Sequence, residues 1–550
     1  NEVFPKRLPK KTRASVRSGP HEVLFMKKCL TLLLAAGLVF SAASSASAID
    51  FKAQGEWLVG FAGGQGNFVD KTRTTADGKK KADSSDRFSA AQRIRLQLDA
   101  VASEALSGTV YFEIGDTTWG KGGTEGQGSG GAMGADGVSV EVKRAYIDWM
   151  VPDTDLKVRM GIQGIQAPSF VLQRAQSFGD DVAGVALSYQ FNEYVGATAF
   201  WARPYNDNFD GYSKNGNDHY NRSYMDNIDL GGLFIPLTFD GVKITPWGMI
   251  AGIGPNADRV DDKYFGGSKT SDFGTSIAKF RQGMLPAWGV IGSDGRTVHD
   301  IKLSEYGTAW WAGVTGDITY WDPFRVAFDF TAGGVSYDES RLNRAGWMAA
   351  LLVEYKFDWG TPGIVGWYAS GDDDDLGNGS ERLPTLSTGM SDNDLSHFAF
   401  DGNPYIAREG TLGASMAGTW GIGLRVKDFS FVEDLKHTFR INYIGGTNDH
   451  NILKKLHREG IYPTPNASGL SDSYNVGVEN MYLTDLDSAL EIGLYNEYKM
   501  YDNFKIALDA NYVAMFLDDS HKTWKDSRMN GKSRDVRDAW NVNVSFVYEF

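Results

Sequence analysis

The stretch QRIRLQLDA, residues 92–100, decides how the rest of the chain is read. Ile94, Leu96, Leu98 and Ala100 fall on one side of an extended chain, and Arg93, Arg95, Gln97 and Asp99 on the other. Successive side chains of a strand point to opposite faces, so a period of two with apolar and charged halves predicts a strand between two unlike environments. The pattern recurs. Leu156, Val158, Met160 and Ile162 alternate with Lys157, Arg159, Gly161 and Gln163. Phe324, Val326, Phe328 and Phe330 alternate with Arg325, Ala327, Asp329 and Thr331. The final segment sets Trp540, Val542, Val544, Phe546, Tyr548 and Phe550 against Asn541, Asn543, Ser545, Val547 and Glu549.

The connections carry a second regularity. Tight turns are expected near 102–107, 152–155, 192–193, 239–241, 321–323, 358–362, 430–436 and 501–503. Long polar loops are expected near 62–87, 119–137, 165–180, 204–224, 253–304, 335–345, 371–417, 447–486 and 517–535. Short and long connections alternate, which is the pattern of a transmembrane antiparallel β-barrel with short periplasmic turns and long extracellular loops. The segmentation gives eighteen strands, and its boundaries leave sixteen open. Trp149, Phe191, Tyr194, Trp321, Phe324, Phe357, Trp359, Tyr498, Tyr501 and Phe504 sit where strands meet turns. Such rings suit a membrane interface.

An export signal precedes the strands. Residues 26–48 read MKKCLTLLLAAGLVFSAASSASA: two lysines, a short apolar run and a small-residue cleavage site. This predicts a secretory signal peptide, with 1–25 as an upstream extension from a mis-called start and 49–550 as the mature barrel. Removing 1–48 takes away eight basic and two acidic residues, leaving 47 and 67, net −20. That acidity argues against nucleic acid as a partner. The one cysteine, Cys29, lies in the signal segment, so the mature chain has no disulfide framework and no thiolate metal site.

In lipid every backbone N–H and C=O must be paired internally, and strands achieve this by closing into a barrel. Arg or Lys on the lipid face costs about 2–4 kcal/mol at the midplane, so the charged faces should line water. A barrel of sixteen to eighteen strands is too wide for its own side chains to fill and is expected to leave an aqueous channel. The pore-lining candidates are Arg93, Arg95, Arg144, Lys157, Arg159, Arg325, Arg425 and Arg440, with acidic partners Asp99, Glu113, Asp148, Asp329 and Glu354. Positive charge on one wall opposed by acidic groups elsewhere would make a transverse field and attract small anions. Mutual pairing that only keeps the wall hydrated is the alternative. Two loops are candidates to narrow the pore: 165–180, the third in order, and 253–304, with its apolar piece 277–291.

Asp372, Asp373, Asp374 and Asp375 form an acidic run. Oxygen ligands of this kind suit calcium, though the spacing is not that of an EF-hand and an acidic run is more often a solvated loop. No other cofactor is expected. The histidines of the mature chain are His219, His299, His397, His437, His450, His457 and His521, without a nucleophile–base spacing, so an enzyme is not expected.

Three segments carry a family likeness: AAQRIRLQLDAVASEALSGTVYFEIGD (90–116), VKRAYIDWMVPDTDLKVRMGIQG (142–164) and TAFWARPYND (198–207). They resemble the homotrimeric outer-membrane porins of sulfate-reducing, Desulfovibrio-type bacteria. The resemblance implies a bacterial outer-membrane location, a trimer of barrels and passive diffusion of small hydrophilic solutes and ions. The terminal Phe550, with Tyr548 behind it, is similar to the signature that the barrel-assembly machinery reads. A channel specific for a sugar or small carboxylate is the second functional expectation, and a barrel enzyme a remote third.

Overall fold

The computed structural model describes residues 49–550 apart from 66–70, 75–79, 84–86, 122–130, 134–139, 173–175, 207–226, 255–288, 292–297, 301–303, 387–394, 401, 404, 406–411, 414, 459–464, 467–468, 471–481 and 519–537. The expected extension and signal peptide lie outside these residues. Contacts divide the chain into 1–50 and 51–550, and the second unit is the barrel.

One antiparallel sheet closes on itself. Its staves are β1 (Asp50–Gln65), β2 (Arg87–Ser103), β3 (Leu106–Thr118), β4 (Val140–Met150), β5 (Lys157–Gln166), β6 (Gly179–Gln190) and β7 (Gly196–Asn206). Then come β8 (Asn227–Phe234 and Leu237–Phe239, one stave interrupted at Pro236), β9 (Val242–Ile253), β10 (Gly307–Ile318), β11 (Phe324–Ser336), β12 (Arg344–Tyr355) and β13 (Thr361–Ala369). The last are β14 (Thr419–Val432), β15 (Leu435–Gly446), β16 (Ser488–Tyr501), β17 (Phe504–Phe516) and β18 (Ala539–Glu549). This makes eighteen staves, as the turn–loop count expects, and β18 pairs with β1 from Glu56↔Glu549 to Gln65↔Trp540. Closure pairs the backbone groups that an edge strand would expose.

The eight tight turns fall where the sequence places them. Asp434, between β14 and β15, has φ 62°, and Gly241, between β8 and β9, has φ 67°. Short polar residues and glycine tolerate this left-handed geometry. The outward residues are apolar and exposed: Leu98, Val110, Ile147, Met160, Leu187, Trp201, Ile250, Trp310, Leu351, Ile364, Leu424 and Leu494 among them. At the turns aromatic rings pack in series. Tyr355 meets Phe324 at 4.6 Å and Phe357 at 4.4 Å between centroids, and Phe357 stacks on Trp359 at 5.4 Å. Tyr548 and Phe550 also face outward, stacked at 5.7 Å.

The interior departs from the expected open lumen. A hydrophobic core lies inside the barrel, built mainly from inward residues of β8–β13, with Ile165, Val182, Phe200, Ile444 and Val513 from other staves, and from three long connections. Ile228, Leu230, Trp247, Met249, Trp311, Met348, Leu352, Val365 and Trp367 supply the wall. Val171, Leu172, Phe178, Phe398, Phe400, Leu412, Met416 and Leu453 come from the loops that cover it. The premise that strand side chains alone must fill the barrel was too narrow, because loops fill it as well.

Candidate functional site

The inner face of β2–β6 carries a ladder of partly exposed charged side chains. Alternation from QRIRLQLDA turns Arg93, Arg95, Gln97 and Asp99 inward, and antiparallel register brings opposite charges together. Arg95 is the ladder partner of Glu113, and its Nε donates to that carboxylate at 2.7 Å. Arg159 is the ladder partner of Asp148 and donates to both carboxylate oxygens, at 2.6 and 2.7 Å. Lys157 Nζ joins Asp148 at 3.0 Å. Arg144 Nε donates to Asp181 at 2.6 Å, and Lys143 bridges Asp181 at 3.3 Å and Glu113 at 3.8 Å. Arg159 lies 4.0 Å from the Tyr146 ring centroid and Arg144 5.7 Å from that of Tyr111, within cation–π range. The side chains of Arg144 and Lys157 keep 40% and 41% of their surface exposed. Arg93 differs: it is buried, between Glu56 at 3.6 Å and Asp116 at 3.7 Å. Asp99 accepts from Thr109 Oγ1 at 2.6 Å.

Arg325, Arg425 and Arg440 belong to other sectors. Arg325 donates to Asp317 at 2.7 Å and to its ladder partner Glu354 at 2.8 Å, and Arg425 donates to the same Glu354. Arg440 NH2 lies 3.3 Å from His397 Nε2. The sequence expectation of a basic wall facing an acidic one is therefore corrected. Each of these cations has a carboxylate on its own or a nearby stave, because cross-strand neighbours of opposite charge attract locally. Asp181, Asp317, Glu56 and Asp116 are not among the pore-lining residues expected from sequence, although Asp317 follows the same alternation.

Asp329 has a role that the pore-lining expectation did not contain. It is buried, and accepts from Ser169 Oγ at 2.5 Å, from the amides of Phe170, Val171 and Leu172 at 2.9, 3.0 and 3.1 Å, and from Thr315 Oγ1. Successive backbone N–H groups make an anion nest, here filled by a side chain of the facing wall. Of the two loops expected to narrow the pore, the described part of 165–180 is drawn inward by this contact. The apolar piece 277–291 lies outside the described residues except at 289–291.

A second inward loop, 370–418, was read from sequence only as a long polar loop. Its piece 395–400 is apolar at Leu395, Phe398 and Phe400, the signal by which it could have been recognised. Glu491 on β16 accepts from Ser396 Oγ at 3.0 Å, from the amides of Phe398 and Ala399 at 3.1 and 3.0 Å, and from Asn442 Nδ2 at 2.8 Å. His397 Nδ1 lies 3.1 Å from Asp509 on β17, and Asn403 Nδ2 donates to Asp509 at 2.5 Å. Tyr405 packs with Leu58, Ala91, Ala507 and Val547. The two loops also hold each other: Met416 N donates to Gln176 Oε1 and Leu386 N to the Ser177 carbonyl, both at 2.9 Å.

The acidic run begins this second loop. Asp372 is buried and accepts from Tyr482 Oη and the Glu381 amide, both at 3.2 Å. Burial, with Glu381 adding to it, pushes its carboxyl up to about 7. Asp373 accepts from the Asp375 amide at 2.7 Å and from Asn378 Nδ2 at 3.0 Å, Asp375 from the Gly377 amide at 2.8 Å, and Asp374 pairs with Lys455 at 3.0 Å. Their partners come from the loop itself and from Lys455 and Tyr482 of the 447–486 connection, and among the described residues no group of three or more His, Cys, Asp or Glu is arranged to hold a metal ion.

No protein-family model matches the sequence, and no curated protein matches it. Solved structures with a similar run of chain include OpdQ of Pseudomonas aeruginosa, at 10% identity and TM-score 0.45, covering 92% of this chain and 99% of that one. OccK5 (OpdH) of Pseudomonas aeruginosa has 12% identity and TM-score 0.44, covering 91% and 98%. A BenF-like porin from Pseudomonas fluorescens Pf-5 has 9% identity and TM-score 0.43, covering 91% and 99%. At this level of likeness no residue role and no solute carries over to this chain.

Proposed function

We propose that the chain is an outer-membrane porin through which small hydrophilic solutes and ions diffuse along the β2–β6 sector of its interior. The observation that carries this reading is the pairing of two surfaces. The outside of a closed barrel is an exposed apolar band with an aromatic girdle. The inside of one sector is a partly exposed ladder of ion pairs, which needs water. An apolar exterior without a channel requires no such ladder, since buried ion pairs add little stability over apolar packing.

The passage is narrower than the barrel, because inward loops fill the interior along β8–β13 and, through 395–400 and Tyr405, along β16–β18 as well. Its paired charges favour weak ion preference over strong anion selection. Passage is passive, and the barrel is not an enzyme in this reading. Association into a trimer in outer-membrane lipid, and recognition of Tyr548 and Phe550 by the assembly machinery, rest on the family resemblance. Structural calcium at 372–375 gains no support from the contacts those carboxylates make.

Reconstitution of the purified protein in planar bilayers tests the proposal. Stepwise ohmic conductance with a reversal potential near zero in a salt gradient is expected. Absence of conductance from a folded, inserted barrel would overturn it.

A further inference from the structure

Asp509, Asn511, Asn541 and Asn543 make one patch on the inner face of β17 and β18. Asp509 is the ladder partner of Asn543, and Asn511 of Asn541. Asn511 Nδ2 donates to Asp509 at 3.0 Å and to Asn541 Oδ1 at 2.9 Å. Every member is more than nine-tenths buried, with Asn543 only 2% exposed. Yet Asn511 Oδ1, Asn541 Nδ2 and both amide atoms of Asn543 have no hydrogen-bond partner. Buried amides are nearly always paired, so a group of orphaned atoms on one patch requires a reason. On the far side β1 offers only Ala62 and Gly64, the ladder partners of Asn543 and Asn541. Nothing larger than a methyl group crowds the amides from there.

The segment seated over this patch serves it incompletely. It brings donors to the carboxylates: His397 and Asn403 to Asp509, and Ser396 with two backbone amides to Glu491. It brings nothing to the amides, which want a group that both donates and accepts. A hydroxyl does both. Its O–H can donate to Asp509 or to an amide oxygen, and its lone pairs can accept from Asn541 or Asn543. Three adjacent staves, β16–β18, span about 10 Å, which is the width of a small sugar.

We infer that this patch binds a neutral polyhydroxylated solute of sugar size, and that residues 395–400 with Asn403 are its built-in competitor. The inference rests on the porin reading and adds to it a solute class and a site. Asp509 and Glu491, with Arg440 3.9 Å from Asp509 as counter-charge, leave the site net negative and disfavour an anionic version of the same solute. Docking of the segment covers the patch, so solute binding and segment docking exclude each other. Weakening the docked segment must then strengthen apparent binding, because a larger fraction of sites is competent.

The test is single-channel current in planar bilayers with D-glucose as the probe, on the full-length folded protein. In the unaltered protein glucose should lower ion current saturably, and gluconate at equal concentration should not. Asn541→Leu/Asn543→Leu should raise the half-blocking glucose concentration roughly tenfold, the loss expected for deleted hydrogen bonds. His397→Ala should lower it several-fold. Heat-modifiable electrophoretic mobility reports that each variant is folded, and Asn543→Ser is the milder replacement should the double variant fail. No saturable block in a conducting channel, an equal half-block after loss of the amides, an equal effect of gluconate, or an unchanged or weaker block in His397→Ala would each overturn the inference. A channel without ion current would instead overturn the porin reading.

Discussion

The β2–β6 sector and the β8–β13 sector of the inner wall are made from the same alternating strands and end in opposite environments. Across β2–β6 the inward positions carry Arg95, Glu113, Asp148, Arg159 and Asp181, cross-linked and partly exposed. Across β8–β13 they carry Trp247, Met249, Trp311, Met348, Leu352 and Trp367, all buried, with the Arg325, Asp317 and Glu354 ion pairs set beside the turns. An apolar inner face stays dry only if something covers it, and burial of apolar area gives about 25 cal/mol per Å² to whatever does. Loops that bring Val171, Leu172, Phe398 and Phe400 supply that cover. Inward residue type thus decides which part of a wide barrel is passage and which part is core.

The largest expected effect comes from removing the cover. Replacing 384–417 by a short linker should raise single-channel conductance several-fold, because a barrel of this strand number is wide enough for an aqueous channel once emptied. Unchanged conductance would place the loops outside the conducting path. A smaller effect is expected at the Asp329 contact. Asp329→Ala leaves three backbone amides and two hydroxyls without their acceptor, and should cost about 3 kcal/mol in thermal unfolding of the barrel. It should also raise open-channel noise. Within the charged sector, Asp148→Asn frees Arg159 and Lys157 from their shared carboxylate. The reversal potential in a salt gradient should then move toward anions by a few millivolts, whereas a substitution such as Ala350→Val in the covered sector should leave it in place.

The smallest effect is a pH dependence of the second loop. The Asp372 carboxyl is raised from its ordinary 3.8 to about 7 when the loop is docked. A raised carboxyl pKa means that the docked state binds the proton more tightly than the released state. The contribution to docking is therefore greatest below about pH 4 and is lost as pH rises to about 7. Hydrogen exchange of the amides in 371–382, corrected for intrinsic rate, should show more protection at pH 5 than at pH 8. Asp372→Asn should flatten that difference.

Strand alternation and turn–loop parity made the barrel legible in the sequence, since both are local. Arg95–Glu113 and Asp148–Arg159 were within reach for the same reason: neighbouring staves joined by a tight turn have their register set by that turn. The contacts of Asp329 with 169–172 and of Glu491 with 396–399 were not. They join residues about 158 and 93 positions apart, and no local period encodes which loop folds inward. The apolar content of 395–400 marked a loop that is not simply solvated, but not where it docks. On β12, RAGWMAALLVEY, both faces are largely apolar, so alternation alone could not separate lipid from core.

The most direct measurement of the division between passage and core uses the absence of cysteine from residues 49–550. Single cysteines are placed at Gln97 and Tyr111 in the charged sector and at Met348 and Trp367 in the covered sector, and a charged methanethiosulfonate reagent is applied while current is recorded. Fast modification with a fall in current is expected for Gln97→Cys and Tyr111→Cys, with Met348→Cys and Trp367→Cys remaining unmodified on the same timescale. Equal modification rates and equal current loss in the two sectors would contradict a passage confined to β2–β6.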